Sequence, residues 1–387
     1  MKKVIAVALF IAIGAWGTSP ALAQYTTPEF SKAGKTFRYV WAEYLDAQLF
    51  LNPNDSLLQI LSIRQGKLQQ KMGSMFMDQW KVLGLWHAYQ NEQKNWISNG
   101  VVADLLTPIL EQQQVGPAFM SVDIGAPRLA AASDSGGRLH AVITGSGQGN
   151  NGLIYAVRDD NSNWHVMASG AIPDNLAEPR GLPAADGNQI TILALVQGGE
   201  NSGRIAKYTF SPSLGGDRDT FRWARELFPE SLRAASFAAL QDNRTFYLFL
   251  QSADRSGVQA VERDVATGKW NLDPQRFEPS IPRELSRIAP QSMMGFMGKD
   301  GLPQVLALQA GGGEQVIVHI YRDEIGLWHN NGTIFNVSNF KMISASPDAQ
   351  GYINLSGIGL DGRVWHGYRG DGNAWRSNGF VYDSNSR

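Results

Sequence analysis

The chain has 387 residues, 43% of them hydrophobic, which is enough to bury a large core in one repeat architecture. Its 34 basic and 35 acidic residues are scattered along the whole sequence, so neither a nucleic-acid groove nor a polybasic membrane patch is indicated. The absence of cysteine excludes disulfides and thiolate chemistry, so stability has to come from packing.

Residues 1–23 have the pattern of an export signal. Lys2 and Lys3 supply positive charge, residues 4–16 form an apolar run, and Ala21-Leu22-Ala23 has the small residues that a signal peptidase recognises. We therefore predict a mature protein that begins at Gln24, forms one domain over residues 24–387 and is periplasmic or secreted. The apolar run is too short for a membrane span, and no later segment is long enough.

The mature sequence opens with strand signals. In residues 36–52, Phe37, Tyr39 and Trp41 alternate as they would in a strand, and a turn at Asn54 and Asp55 precedes a second apolar segment. Two insertions follow. Residues 65–80 contain good helix formers and predict a helix, and residues 101–116 have apolar residues at helical spacing, interrupted by a proline. We expect both insertions to flank the first repeat unit.

The same pattern of a small-residue segment, an Asp-containing turn and an apolar strand returns five times after residue 128. Proline-rich segments at 172–183 and 277–290 predict loops between units. Four strands fit in each unit, and small residues such as those at 130–132 suit strands that crowd around an axis. We predict an all-β, six-bladed β-propeller, with a seven-bladed ring that keeps 36–51 as a remnant, or a pair of β-sandwiches, as alternatives. Each unit has one regularly placed tryptophan: Trp96, Trp164, Trp223, Trp270, Trp328 and Trp375.

Two of the units are near-copies of each other. Residues 85–100 read LWHAYQNEQKNWISNG and residues 364–379 read VWHGYRGDGNAWRSNG, with the same W-H-x-Y, W and S-N-G at identical spacing. Trp86 and Trp365 are 279 residues apart, as five units of about 56 residues would place them, which is a propeller-blade period. Side chains of these copies, together with the arginine directly before the second copy, are the candidate ligand-binding residues: Trp86, His87, Tyr89, Trp96, Arg363, Trp365, His366, Tyr368 and Trp375.

The repeated tryptophans have two interpretations. In the structural one, each ring buries about 150–250 Å² and seals a blade against its neighbour. In the functional one, some rings line pockets between blades and stack on the C–H faces of sugars. Units one and six favour the functional interpretation most, because Trp and Tyr stand close to a histidine that a strand would point to the opposite face from the adjacent Trp.

Residues 134–142 and 361–366 resemble the blades of tectonin-type and fungal fucose-lectin-type propellers, which carry a D-G-R-L-x-V-F strand and a later tryptophan. The resemblance extends over most of residues 55–379, although units two to four match only at the turn and the Trp. It implies a non-catalytic, glycan-binding propeller. It also implies a pocket built from an Arg, a Glu and an aromatic residue of adjacent blades. No Arg and Glu pair recurs in register along the sequence, so the monosaccharide specificity is not carried over.

The remaining motifs exclude several kinds of site. No His or carboxylate spacing typical of zinc or calcium occurs, and there is no G-x-S-x-G nucleophile motif. We therefore predict a non-catalytic protein without metal or cofactor that binds a glycan or a cell-envelope carbohydrate and no nucleic acid. The alternative partner is an envelope protein, bound to an apolar surface that includes Met75 and Phe76. A sialidase-like glycoside hydrolase is the third and least favoured hypothesis.

Overall fold

The computed structural model describes residues 25–381 except 33, 106–124, 148–149, 170–171, 184–187, 217–218, 252–257, 273–287, 312–313, 338–339 and 371–373. Within these residues, 26 strands form six antiparallel sheets, and one short 3-10 helix spans Glu230–Leu232. The predicted signal peptide lies outside the described residues. Across this described part of the chain, no helix has the length and apolar character that a membrane crossing requires.

Each sheet is one blade, and its strands are neighbours in chain order. Blade one contains β1 (Tyr25–Thr26), β2 (Phe30–Lys32), β3 (Lys35–Leu51), β4 (Leu58–Met72), β5 (Met75–Gln90) and β6 (Trp96–Asp104). Blade two contains β7 (Gly125–Ser133), β8 (Leu139–Gly147), β9 (Asn150–Arg158) and β10 (Trp164–Ser169), and blade three contains β11 (Asn175–Pro183), β12 (Ile190–Gln197), β13 (Ile205–Ser213) and β14 (Thr220–Leu227).

The last three blades repeat the four-stranded pattern. Blade four contains β15 (Ser236–Gln241), β16 (Thr245–Gln251), β17 (Val258–Asp264) and β18 (Trp270–Asn271). Blade five contains β19 (Ile288–Met297), β20 (Pro303–Gly311), β21 (Glu314–Arg322) and β22 (Trp328–Val337), and blade six contains β23 (Phe340–Pro347), β24 (Ile353–Gly359), β25 (Val364–Arg369) and β26 (Trp375–Phe380).

The six blades close into a ring. β3 lies against β7, and the contact continues through β11, β15, β19 and β23 back to β3, so the first long strand of each blade is the innermost one. These strands are crowded: at Gly181, an added Cβ would lie 2.3 Å from the carbonyl oxygen of Ala131 in the preceding blade. The prediction of an all-β, six-bladed propeller is confirmed. Residues 36–51, the seventh-blade remnant of the alternative, belong to β3 of blade one.

The Asp-containing turns join the first and second strands of the blades. Asp134 Oδ1 accepts hydrogen bonds of 2.9 Å from the backbone N–H groups of both Gly136 and Arg138. Asp348 does the same for Gln350 and Tyr352, at 3.0 and 2.9 Å. Because the aspartate carboxylate binds the turn amides in this way, it stabilises the tight turn between the two strands.

The core lies between the blades. Between blades two and three, one buried cluster includes Val142, Tyr155, Ile192 and Phe210, and an equivalent cluster lies at each of the other five junctions. Each blade is therefore buried on both faces. This explains why strands such as β12 are apolar nearly throughout, since a strand with two buried faces does not alternate with polar residues.

Blades one and six close the ring without sharing a strand, because each is built from its own end of the chain. Several polar contacts cross this seam. Among them, Ser344 Oγ accepts a hydrogen bond of 2.9 Å from the backbone N–H of Leu49, and Lys94 Nζ lies 3.1 Å from Asp348 Oδ2. Trp86 belongs to the apolar cluster that both blades share. Contacts between the two blades therefore close the ring at the seam, and no sheet of the described structure combines strands from both ends of the chain.

The predicted helix at residues 65–80 is wrong. These residues complete β4 and begin β5, which form one long hairpin around the two-residue turn at Gly73 and Ser74. Helix propensity is a weak preference, and here it is overridden by pairing of residues 58–70 with residues 37–51 of β3. Of the second insertion, residues 101–104 continue β6, and 106–116 lie outside the described residues. The predicted loop at 172–183 is also wrong from residue 175 onward, because Asn175–Pro183 is the innermost strand of blade three.

Candidate ligand-binding site

The third strand of blade six carries His366 between two side-chain amides. His366 Nε2 lies 3.1 Å from Asn354 Oδ1 on the second strand, and Asn378 Nδ2 on the fourth strand lies 3.1 Å from His366 Nδ1. An amide nitrogen can only donate, so Nδ1 accepts and the proton is on Nε2. Blades one and five repeat the arrangement, with contacts of 2.7 to 2.9 Å that place His87 between Gln59 and Asn99, and His319 between Gln304 and Asn331.

These three histidines join the second, third and fourth strands of their blades. Burial lowers the pKa of His87, His319 and His366 to about 3, so all three rings are neutral near pH 7. Both ring nitrogens are already occupied by amide partners. The geometry of His87 and His366, two of the predicted ligand-binding residues, therefore favours a structural role inside the blade.

Blade five is a third copy that the sequence analysis did not identify. His319, Tyr321, Trp328, Asn331 and Gly332 have the same spacing as the corresponding residues of blades one and six. The signal was present in the sequence, but the Trp that precedes the histidine in the other two copies is replaced by valine at position 318. The three copies occupy consecutive positions in the ring, in blades five, six and one.

Trp86 and Trp365 are core residues in this structure. Trp86 is 0% exposed and packs edge-on against Tyr44, with ring centroids 5.2 Å apart. Trp365 is 9% exposed, and its Nε1 donates a hydrogen bond of 2.9 Å to Ser377 Oγ. Neither ring presents an open face, so the structural interpretation suits these two better than stacking on a sugar does.

Trp96 and Trp375 seal one blade against the preceding one. The half-buried Trp96 packs edge-on against His366 of blade six, at 5.0 Å between ring centroids, and Trp375 packs in the same way against His319 of blade five, at 6.0 Å. Trp328 does the same with Phe249 of blade four, at 5.2 Å. The repeated tryptophan is thus a contact between adjacent blades.

Three predicted residues reach the surface. Tyr89 and Tyr368 are half-buried, and each ring is stacked 6.2 Å from the histidine two residues before it. Arg363 is exposed, with its guanidinium 3.7 Å from the centroid of the Phe380 ring and its Nε 2.7 Å from Asp361 Oδ2. These residues lie around blades one and six but do not converge on one pocket with the buried tryptophans.

A pairing of Arg and Glu between adjacent blades is present, although the sequence analysis did not find it. Arg263 is the last but one residue of the third strand of blade four and lies 2.9 Å from Glu226 of blade three. Arg322 is the equivalent residue of blade five and lies 2.7 Å from Glu262 of blade four. Each guanidinium also donates from Nε to a carbonyl of its own turn, at 3.0 and 3.1 Å. These two junctions form the candidate site.

An aromatic ring accompanies each ion pair. Arg263 is the cross-strand partner of Trp270, and its guanidinium lies 5.5 Å from that ring. At the next junction, the half-buried Tyr247 is the cross-strand partner of Glu262. Burial raises the pKa of the Tyr247 hydroxyl, and the charges of Asp242 and Glu262 raise it further, so Tyr247 remains a hydrogen-bond donor at neutral pH. Each junction thus combines a cation, a carboxylate and an aromatic ring from adjacent blades.

The two ion pairs are accessible to solvent. Side-chain exposure is 23% for Arg263, 43% for Glu226, and 22% and 21% for Arg322 and Glu262. Ion pairs of this kind contribute only about 0.2–1 kcal/mol to stability. The charged groups therefore contribute little to the fold and remain able to exchange part of their bonding with a ligand.

Two other blades have an arginine at the equivalent position. Arg158 of blade two donates to Ser162 Oγ at 2.7 Å, and Arg369 of blade six is half-buried, with burial lowering its pKa. Nε of Arg369 has no hydrogen-bond partner within the part of the chain that the structure describes. Blade one has Gln90 instead. Blade three differs, because Phe210 stands opposite its Trp223.

A groove of about 220 Å³ lies at the seam between blades one and six, on the face of the ring that carries the Asp-containing turns. Its charged lining consists of Asp55, Glu92 and Lys94 of blade one and Asp348 of blade six. Lys94 Nζ is held by Asp348 and by Gln350 Oε1, the latter at 3.2 Å. None of the described residues that line the groove is aromatic, so it suits sugar stacking less well than the Arg and Glu junctions. Among the described residues, no group of three or more His or carboxylate side chains is arranged to hold a metal ion.

The fold has clear structural relatives, although the sequence does not. No protein-family model matches the chain, and no curated protein is similar to it in sequence. A triple arginine-to-alanine mutant of AofleA from Arthrobotrys oligospora superposes with a TM-score of 0.53 at 14% identity, covering 94% of both chains. A mutant of the Aleuria aurantia lectin in complex with α-methyl-L-fucoside superposes with a TM-score of 0.51 at 12% identity, covering 88% of this chain and 96% of the lectin.

A third solved structure, the SapL1 lectin in complex with α-methyl fucoside, superposes with a TM-score of 0.50 at 12% identity, covering 88% of this chain and 98% of the lectin. Because the matches cover nearly the whole of each lectin chain, the likeness concerns the complete ring and not a single blade. At 12–14% identity it shows a shared architecture. The resemblance that residues 134–142 and 361–366 indicated is thus confirmed: the chain has the fold of these fucose-binding-type lectin propellers.

Proposed function

We propose that this protein is a non-catalytic, lectin-like propeller that binds carbohydrate at the junctions between its blades. The observation that carries the proposal is the repeated set of Arg, Glu and aromatic side chains at the junctions of blades three and four and of blades four and five. The set combines Arg263 with Glu226, and Arg322 with Glu262. The two sites have the same orientation in the ring, as expected of a multivalent binder.

The chemistry of these junctions suits a sugar. A guanidinium donates several hydrogen bonds in a fixed plane, and a carboxylate accepts them, so the pair matches adjacent hydroxyl groups that each donate and accept. Trp270 and Tyr247 supply the apolar surface on which the C–H face of a sugar ring packs. A few polar groups beside an apolar wall is the usual composition of a small-molecule site. The α-methyl fucosides bound by two lectins of the same fold support this choice of ligand class.

We further propose that the protein is exported and meets its ligand in the periplasm or outside the cell, where a cell-envelope carbohydrate is the expected partner. The support is the pattern of residues 1–23. N-terminal sequencing of protein recovered from the envelope fraction tests this part. A mature terminus at Gln24 is expected, and an intact Met1 in the soluble cytoplasmic fraction would refute it.

Binding is tested with a glycan array followed by calorimetry on the best hit. Arg263→Ala and Arg322→Ala are each expected to reduce the number of sugars bound per chain, and the double variant to weaken binding about tenfold or more, as loss of a charged hydrogen-bonding partner does. Arg222→Ala is the matched control, because this exposed arginine lies on the outer strand of blade three, away from both ion pairs.

Two outcomes would contradict the proposal. A correctly folded protein that binds no sugar on the array refutes the glycan ligand, and unchanged affinity in the double variant refutes the site. The same samples also distinguish a lectin from a glycosidase. A bound glycan should be recovered intact after long incubation, whereas release of new reducing ends would favour the hydrolase hypothesis.

A further inference from the structure

Blade one extends beyond the ring as a projecting sheet. We use the term arm for residues 25–41 and 66–83, which contain β1, β2, the first part of β3, the last part of β4 and the first part of β5. At about 3.3 Å per residue, the turn at Gly73 lies about 23 Å from Gly66 along the hairpin. None of the other five blades has strands of this length among the described residues.

The arm has its own small core, so it is a defined element rather than a loose hairpin. Phe37, Trp41, Leu68 and Val82 are buried together, and Phe30 packs against this cluster. Aromatic rings stack in a row along one face, at centroid distances of 5.3 to 5.9 Å, from Phe37 through Phe30 and Tyr39 to Trp41. The arm therefore positions its tip at a fixed place relative to the ring.

The tip of the arm is apolar and exposed. Met72, Met75 and Met77 are 51%, 68% and 53% exposed. The other exposed large hydrophobic side chains in the described ranges are Ile97, on the outer strand of blade one, and residues scattered over blades three to six, whereas these three lie within six residues of one hairpin. Flexible methionine side chains adapt to irregular apolar surfaces, and a cluster of them at a protruding tip indicates a partner into which it inserts.

The arm is strongly basic, although the whole chain has a net charge of −1. It has two acidic side chains, Glu29 and Asp78, and each of them pairs with a lysine of the arm. Six basic side chains outnumber them, so the arm has a formal charge of +4: Lys32, Lys35, Arg38, Lys67, Lys71 and Lys81. The even spread of charge along the sequence hides this patch, because folding brings together two segments that are about 40 residues apart.

We propose that the arm docks the protein on an anionic phospholipid surface. The methionine tip enters the boundary between headgroups and acyl chains, and the basic side chains behind it contact the phosphate groups. Apolar insertion and electrostatic attraction act together in peripheral membrane binding. Each basic residue close to an anionic surface contributes about a fivefold gain in partitioning. Charge complementarity thus selects an anionic bilayer as the partner, in preference to an apolar protein groove.

The position of the arm is compatible with simultaneous glycan binding. The arm is an extension of the connection between the second and third strands of blade one, whereas Arg263 and Arg322 stand at the ends of third strands, beside the turns that lead to the fourth strands. In an antiparallel meander these two kinds of connection lie at opposite ends of the blade. The arm therefore projects from the face of the ring opposite to the proposed sugar sites.

The test is co-sedimentation of the mature chain with lipid vesicles. One set of vesicles is pure phosphatidylcholine, and the other contains about 30% phosphatidylglycerol, at salt concentrations of about 0.1 M and 0.5 M. Binding to the anionic vesicles at low salt, strongly reduced at high salt and absent from the neutral vesicles, is expected. Two variants separate the contributions. Met75→Ser with Met77→Ser should weaken binding about tenfold, and Lys35→Ala with Lys81→Ala about 25-fold.

Ile325→Ser is the matched control, because Ile325 is 80% exposed on blade five and its replacement removes a similar apolar side chain away from the arm. It should bind as the unmodified chain does. All variants change exposed residues, so unchanged thermal melting is the check that they fold. The proposal is overturned if the anionic vesicles do not sediment the protein, if neutral vesicles bind it equally well, or if Ile325→Ser weakens binding as much as the methionine variant does.

Discussion

Acid should destabilise this propeller through its buried histidines, and replacing one of them with glutamine should reduce that sensitivity by a measurable amount. The pKa of His87, His319 and His366 falls from the ordinary value of 6.5 to about 3 because burial disfavours the charged ring. Between pH 6.5 and 3, the unfolded chain therefore binds more protons than the folded one. The stability that depends on the neutral rings is complete above pH 6.5 and declines as the pH falls toward 3.

The size of this destabilisation follows from the difference between pH 5 and the ordinary histidine pKa of 6.5. At pH 5 each of the three histidines costs about 2 kcal/mol, or about 6 kcal/mol together. Asp46 acts in the opposite direction, because burial raises its pKa to about 6 and the folded state then binds the extra proton as the pH falls. This offsets about 1 kcal/mol, so the expected loss from pH 7 to pH 5 is about 5 kcal/mol. Such a loss is large beside a typical unfolding free energy of about 5–15 kcal/mol.

Urea unfolding at a series of pH values measures the effect. His319→Gln should reduce the slope of unfolding free energy against pH by about 1.4 kcal/mol per pH unit below pH 6. Ile320→Val is the control, since this neighbouring buried side chain does not titrate. It should lower stability by about 1 kcal/mol at every pH and leave the slope unchanged. Equal slopes for His319→Gln and the unmodified protein would refute the assignment of a neutral, buried imidazole.

Three further substitutions test the packing, each by urea unfolding at pH 7. Trp86→Ala should cost about 3–5 kcal/mol, because its ring is fully buried; an unchanged midpoint with loss of sugar binding would instead assign that ring to a ligand site. Gly84→Ala should cost about 1–3 kcal/mol, because the new Cβ would lie 2.7 Å from the Trp41 ring, and full stability would contradict the close packing. Ser344→Ala should cost about 1 kcal/mol by leaving the Leu49 N–H without its acceptor at the seam, and a neutral effect would show that water replaces it.

The number of blades could be predicted because one tryptophan recurs at a regular place in every blade. Its ring needs a fixed place at the start of the fourth strand, and five of the six predicted tryptophans begin that strand. Trp223 is the exception, since β14 starts three residues earlier, at Thr220. The Asp turns are equally local, since the Asp134 carboxylate binds amides only two and four residues away.

The long hairpin of blade one could not be predicted from local preference. Residues 65–80 contain Lys, Gln and Met, which favour helices as isolated segments. Their strand conformation depends on pairing with β3, and that pairing in turn depends on Trp41 lying over Gly66 and Gly84. An added Cβ at either glycine would come within 2.6 to 2.7 Å of the Trp41 side chain. Trp41 precedes these glycines by 25 and 43 residues, and contacts over such separations cannot be derived from helix propensity or from the repeat period.

The candidate sugar site was missed for a different reason. Arg263 and Arg322 are equivalent in their blades, but their partners are not, since Glu226 is on a fourth strand and Glu262 on a third strand. A search for Arg and Glu in the same register therefore finds nothing. The pairs form because each blade packs against the preceding one, so carboxylates at different strand positions reach the equivalent arginines. Only the arginine is repeated in the sequence, and the packing of adjacent blades brings a glutamate carboxylate to it.

The two surfaces proposed for binding can be disabled independently, and this makes their combination testable. The Arg and Glu junctions lie on the face of the ring that carries the turns between third and fourth strands, and the basic arm extends from the opposite face. A protein docked by the arm would therefore present its sugar sites away from the lipid. In a mixed assay with anionic vesicles and a labelled glycan, the unmodified chain should carry glycan to the vesicles. Arg263→Ala with Arg322→Ala should bind vesicles as the unmodified chain does but bind glycan about tenfold or more weakly. Met75→Ser with Met77→Ser should bind glycan normally but bind vesicles about tenfold more weakly. Loss of both activities in either double variant would show that the two faces are not independent.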